Sequence, residues 1–125
     1  MIVNAFYENV KRHNMEHRPL KPFEEEENVV LEFRPRPTQD MLVACVYSHW
    51  TPPEGSDEPD LWSFAAITDD PPAEVAEAGH DRCIVQLRDE NVRAWLTPQG
   101  RSLDELDGIL EDSQGRPYYE HRLAA

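Results

Sequence analysis

The chain has little of what holds secreted or membrane-embedded proteins together. Cysteine is scarce: Cys45 and Cys83 are the two in 125 residues. A disulfide-stapled scaffold needs more, so both read as reduced thiols of a cytoplasmic protein. No apolar run approaches the ~18 residues of a membrane-spanning helix. The opening segment MIVNAFYENV has neither the basic stretch nor the long apolar stretch of a secretory signal. Hydrophobic residues reach 39%, under the ~45% usual for globular domains. No internal repeat divides the chain. Its length suits one domain with one core, spanning residues 1–125.

Positive charge is also in short supply. Twelve Lys and Arg face twenty-five Asp and Glu, a net charge of −13. Broad, non-specific nucleic-acid binding rests on neutralising phosphates and is disfavoured by that balance. A small basic groove on an acidic body remains compatible with it. Lys11, Arg12, Arg18 and Lys21, with His13 and His17, precede an acidic run at 24–27 that reads as a solvated loop. Ten of the twelve basic residues are arginine, which grips phosphate through two hydrogen bonds where lysine offers a point charge.

Hydrophobic patterning places strands early and helices late. Residues 2–7 read as a strand and 11–27 as charged, irregular chain. Residues 28–34 alternate, with Val29, Leu31 and Phe33 on one face. Arg34-Pro35-Arg36-Pro37 is expected to break that strand, because proline removes a ladder donor. Residues 41–47 are continuously apolar, the pattern of a strand buried on both faces. After a proline-rich loop at 51–59, residues 61–68 present Trp62, Phe64 and Ala66 on one side. Asp70-Pro71 opens a short helix that Gly79 can close. Residues 82–87 alternate again, with Cys83, Val85 and Leu87 facing one way. Asp89 can cap a helix carrying Val92, Trp95 and Leu96. Ser102-x-x-Glu105 is a capping box for a helix with Leu103, Leu106, Ile109 and Leu110 inward. Together these predict an α+β class, a mostly antiparallel sheet with short peripheral helices.

Three segments carry candidate chemistry. His13-Asn14-Met15-Glu16-His17 matches H-x-x-E-H, a zinc-peptidase spacing that sets two histidines on one helix face. Pro19 and Pro22 follow at once and no apolar stripe docks such a helix, so a solvated basic loop is the plainer reading. In Gly79-His80-Asp81-Arg82, a histidine stands between a helix-ending glycine and a strand, a place suited to a general acid–base group. A capping or surface histidine is the alternative. Phe6-Tyr7-Glu8 puts a carboxylate at the end of an apolar strand, where a solvated terminus is the default.

Read in order, several segments resemble one family. Asn4-Ala5-Phe6-Tyr7-Glu8 is similar to the G-F-Y-E-W segment of the SRAP family, the SOS-response-associated peptidases or abasic-site-processing proteins. The segment beginning Gly79-His80-Asp81-Arg82 resembles its H-D-R-M-P-V segment. Residues 41–50 resemble its F-A-G-L-W-E-R-W strand, and residues 63–68 stand where a strand ends in T-T-E. Ala94-Trp95-Leu96 with Pro98 matches W-L-x-P. The resemblance implies a β-rich, barrel-like α+β fold that recognises abasic sites in single-stranded DNA. It also implies an N-terminal cysteine, exposed by self-removal of the initiator methionine. That cysteine crosslinks to the ring-opened sugar as a thiazolidine. By position, Glu8 and His80 match the family's catalytic glutamate and histidine. Arg82 is placed to reach a DNA phosphate. Neither metal nor cofactor is called for.

The chain departs from the family pattern at identifiable places. Ile2 stands where the family has cysteine, and Asn9 where a tryptophan follows the glutamate. The family's N-terminal half has no counterpart before Met1. A thiazolidine needs amine and thiol on one terminal residue, so the internal Cys45 and Cys83 are no substitute. Two readings follow: the C-terminal part of a family member, pairing with a separate N-terminal piece or dimerising through an unpaired apolar edge, or a stand-alone, non-catalytic acidic interaction module. Under both, the resemblance brings Glu8 and His80 together at one sheet rim. For the histidine pair, metal analysis of purified protein is expected to find no stoichiometric zinc. One tightly held zinc per chain would favour the peptidase chemistry of H-x-x-E-H instead.

Overall fold

The structure is a computed structural model that describes residues 1–124. In chain order the first elements are β1 (Ile2–Val3), β2 (Phe6–Lys11), α1 (Arg12–Met15), β3 (Asn28–Arg36), β4 (Met41–Leu42), β5 (Cys45–Trp50) and β6 (Leu61–Ala66). They are followed by β7 (Thr68–Asp69), α2 (Ala73–Glu77), β8 (Cys83–Ile84), α3 (Asp89–Leu96), α4 (Leu103–Glu111) and β9 (Tyr118–Leu123). The class is α+β, as the patterning indicates. All pairings are antiparallel, in four small sheets: β1–β4, β2–β3–β9, β5–β6 and β7–β8. The described strands do not close into one continuous barrel. Among the described residues no helix is long and apolar enough to cross a membrane.

The β2–β3–β9 sheet anchors the main core. Alternation along β3 buries Val29, Leu31 and Phe33, and alternation along β2 buries Phe6 and Val10. Phe6 pairs with Phe33 across the ladder, and their rings stack at 4.9 Å. Tyr119 meets Phe6 edge-on at 5.1 Å. Such aromatic pairs are worth about 0.5–1.5 kcal/mol beyond their buried area. Val75 and Ala78 of the α2 region, Met41 and Cys83 complete this cluster. A second, smaller cluster holds Ala44, Val85, Leu87 and Ile109, with Trp95 and Leu106 packed against it.

Pro35 does not break β3, which runs to Arg36. Pro35 lies opposite Tyr119 of β9. The Tyr119 amide does not cross to it, donating instead to Glu74 Oε1 at 3.2 Å. Pro35 therefore turns its missing donor to the side where β2 has already ended, since Phe6 begins β2 opposite Phe33. Glu74 also accepts from Arg116 at 2.7 Å, tying α2 to the chain entering β9. Burial works to raise the Glu74 pKa, but the Arg116 hydrogen bond and the backbone donors outweigh it and hold the carboxyl below its ordinary range.

Several other expectations change. The strand expected at 2–7 is interrupted after Val3 and resumes as β2, which continues to Lys11. The short helix α1 interrupts the irregular stretch. The run at 41–47 is buried at Met41, Val43 and Ala44, but Val46 and Tyr47 are exposed, because β5 leaves the core as half of a projecting hairpin. Arg88, not Asp89, is the residue at the N-cap of α3, and its side chain makes no cap bond. The Ser102/Glu105 capping box forms as expected. Leu103 is exposed while Ile109 is buried. β9 was not anticipated: Tyr118-Tyr119-Glu120-His121-Arg122-Leu123 lacks apolar alternation, and only Tyr119 turns inward.

The two environments predict opposite responses to truncation. Phe33→Ala, at a fully buried ring, is expected to cost about 3–5 kcal/mol in urea unfolding. Phe64→Ala, on the exposed hairpin, should stay within about 0.5 kcal/mol.

Candidate acid–base site

Glu8 occupies a place that its sequence context hides. It lies within β2, opposite Leu31, on the same face as the buried Phe6 and Val10. It is therefore not the solvated strand terminus expected from sequence, but a carboxylate on the core side of a sheet. His80 reaches it from the other half of the chain. The α2 helix is followed by Gly79, whose φ of +97° is open to glycine at little cost. A Cβ at Gly79 would lie 3.1 Å from Asn14 Cβ and from Met15 N. Glycine there lets the end of α1 close against the turn. The His80 amide donates to Val75 O, fixing the residue after that turn.

The structure brings the two side chains together. His80 Nε2 lies 3.2 Å from Glu8 Oε2, with each side chain about one-fifth exposed, at 19% and 21%. The other ring nitrogen is committed: His80 Nδ1 is 2.8 Å from the Arg82 carbonyl oxygen. The Arg82 amide lies farther from the same nitrogen, at 3.3 Å, so the shorter contact to the carbonyl assigns the proton to Nδ1 and leaves Nε2 facing the carboxylate. Burial pushes the Glu8 carboxyl above its ordinary range; His80 pulls it down and Asp81 adds to the rise. Nε2 and Oε2 are thus placed within hydrogen-bond reach of each other.

His80 also lines an open cleft of about 850 Å³ with Asn14, His17, Arg18, Gly79 and Asp81. Arg82 sits apart from the two catalytic candidates through its guanidinium, whose Nε donates to Thr68 Oγ1 at 3.0 Å. Its backbone carbonyl, which no sequence pattern singles out, orients His80. The Met1 amine is 2.9 Å from Val43 O and donates to it. Cys83 is buried, and burial pushes its thiol up to about 12, which makes it a poor nucleophile.

The H-x-x-E-H face does not form. α1 ends at Met15, Glu16 is its C-cap, and His17 turns away at a φ of +52°. Glu16 accepts from Arg18 at 2.6 Å. Among the described residues no group of three or more His, Cys, Asp or Glu side chains could hold a metal ion.

An imidazole–carboxylate pair on the core side of β2, beside an open cleft, is an arrangement that can accept and return a proton. The family model for "SOS response associated peptidase (SRAP)" matches residues 1–123, and the chain belongs to that family. Among curated proteins it is similar to abasic site processing protein YoqW of Bacillus subtilis (strain 168), 38% identical over 68 residues. The protein of the same name from Bacillus phage SPbeta matches equally. The match covers 54% of this chain but 29% of each relative, so it spans under a third of their length. No solved structure matches the chain significantly.

The raised Glu8 pKa makes a pH-dependent prediction. The folded state binds this proton more tightly than the unfolded state. The stability from Glu8 is therefore full below its ordinary 4.5 and is lost as pH rises through the folded value. Glu8→Gln, neutral throughout, is expected to melt higher than the parent at pH 7 and level with it below pH 4.5. Thermal unfolding of both proteins across that range checks it.

Proposed function

We propose that this chain acts on abasic sites in single-stranded DNA, with Glu8 and His80 as its acid–base pair and Arg82 as a phosphate contact. The observation that supports this best is the 3.2 Å approach of His80 Nε2 to Glu8 Oε2 in a chain of the SRAP family. Similarity to proteins named for abasic site processing supports the substrate class.

The chemistry asks for one proton to move. An abasic deoxyribose rests mostly as a cyclic hemiacetal. Opening it takes the proton from the C1′ hydroxyl as the C1′–O4′ bond breaks, and O4′ takes up a proton as it leaves. The products are an aldehyde at C1′ and a hydroxyl at C4′, with no net gain or loss of protons. A side chain that accepts and returns a proton serves both ends. In His80 that atom is Nε2, because Nδ1 is held by Arg82 O. Glu8 holds the second proton position, and its raised pKa narrows the gap in acidity to an imidazole. Arg82 is exposed, and with its Nε donating to Thr68 its two terminal nitrogens can still grip a phosphate oxygen.

The thiazolidine that the family resemblance implies takes an amine and a thiol on one residue. An amine without a thiol adds to the C1′ aldehyde and expels water, giving a reversible imine. The two free cysteines, Cys45 and Cys83, fit a cytoplasmic setting.

Labelled single strands with and without an abasic site test this. The chain is expected to prefer the abasic strand and to give an imine adduct that borohydride traps. His80→Ala and Glu8→Gln should each lower the trapping rate by about 10²-fold. Equal binding to the intact strand, or no trapped adduct, contradicts the proposal.

A further inference from the structure

The β5–β6 hairpin is the one described pair of strands whose residues are almost all exposed. Its register sets Tyr47 opposite Phe64 and His49 opposite Trp62. Cross-strand partners share a face, so these four rings form a ladder on one side of the ribbon. The His49 and Trp62 rings stack at 4.0 Å, and Tyr47 and Trp62 at 6.0 Å. Tyr47, Phe64 and Trp62 are 76%, 69% and 64% exposed. A contiguous aromatic face of this kind marks a surface that something covers.

The ladder has a continuation at its base. Cys45 and Tyr47 line a mostly apolar cavity of about 340 Å³ with Trp95, Leu96, Pro98 and Leu106. Trp95 Nε1 donates to Cys45 O at 3.2 Å, which holds that wall in place. Both outer edges of the two-stranded ribbon are free among the described residues, so their backbone groups can take another strand.

Charge selects the occupant. From residue 37 through residue 81 the chain has no Lys or Arg. The hairpin tip carries Glu54, Asp57, Glu58 and Asp60, and Asp60 is 2.7 Å from His49 Nε2. Stacking platforms for single-stranded nucleic acid pair their rings with a cationic groove; here the rim is anionic and repels phosphate. A second copy, also at −13, brings the same repulsion. A cationic chain is attracted.

We propose that the β5–β6 hairpin is a docking surface for an extended, cationic segment of another protein. The segment adds along the ribbon as a strand. Its apolar side chains lie on Tyr47, Trp62 and Phe64, one of them entering the cavity beside Trp95. Its basic side chains face the acidic tip. This surface is separate from the Glu8–His80 pair and does not depend on its chemistry.

A fluorescent peptide of alternating valine and lysine serves as the probe, with a valine–glutamate peptide and an oligothymidylate as controls. The full chain is expected to bind the basic peptide saturably and neither control. Tyr47→Ser/Trp62→Ser/Phe64→Ser leaves the charge unchanged and should weaken binding at least tenfold. Glu54→Lys/Asp57→Lys/Glu58→Lys should weaken it similarly while keeping the rings. The substituted rings are exposed, and a cooperative melt confirms that each variant is folded. Undiminished binding to the triple-serine variant would reduce the effect to unspecific charge attraction and overturn the proposal. So would oligothymidylate binding that the serine variant loses. Concentration-dependent self-association that it abolishes would make a second copy the occupant and overturn it as well.

Discussion

The stack of Phe6 on Phe33, closed edge-on by Tyr119, holds together the sheet on which the candidate site is built. It locks β2, β3 and β9 into one register, and a one-residue slip would turn each inward side chain outward. Glu8 is two residues from Phe6 on the same strand face. Once the stack forms, the carboxylate has to face inward. The energy of its partial desolvation is supplied by the apolar residues on either side, Phe6 and Val10, which bury together with it. What results is a carboxyl that holds its proton more tightly than one in water.

The second half of the chain brings the partner. Gly79 lets α1 and the turn after α2 touch, and that turn delivers His80 to within reach of Glu8. The Glu74 hydrogen bonds to Arg116 and to the Tyr119 amide fasten α2 to the same sheet. His80 therefore stands at the end of a helix tied to β9, and Glu8 on a strand tied to β3. The two groups meet because both scaffolds rest on one aromatic cluster.

Much of this was legible in the residues. The alternation of Val29, Leu31 and Phe33, the Ser102/Glu105 box and the Gly79 turn are local signals, and each appears where its chemistry requires. Glu8 and His80 stand out as candidates in their own segments, but pairing them takes the family resemblance. Their meeting is a long-range contact that no local pattern encodes, and Glu8 looked solvated because its inward partners alternate over only three positions. The extension of β3 through Pro35 was illegible for a related reason: it depends on which side of Pro35 has a neighbouring strand. β9 was missed because one buried tyrosine cannot establish a period. The exposure of β5 was missed because an apolar run reads the same in a core and on a surface awaiting a partner.

The central claim is that Glu8 and His80 act as one unit on the abasic sugar. A double-mutant cycle tests that most directly, using the rate of borohydride-trapped adduct formation on an abasic single strand. Groups that act as one unit are not additive, so Glu8→Gln with His80→Ala should be no slower than the worse single variant. Losses that multiply in the double variant, or a rate that neither substitution changes, would contradict the account.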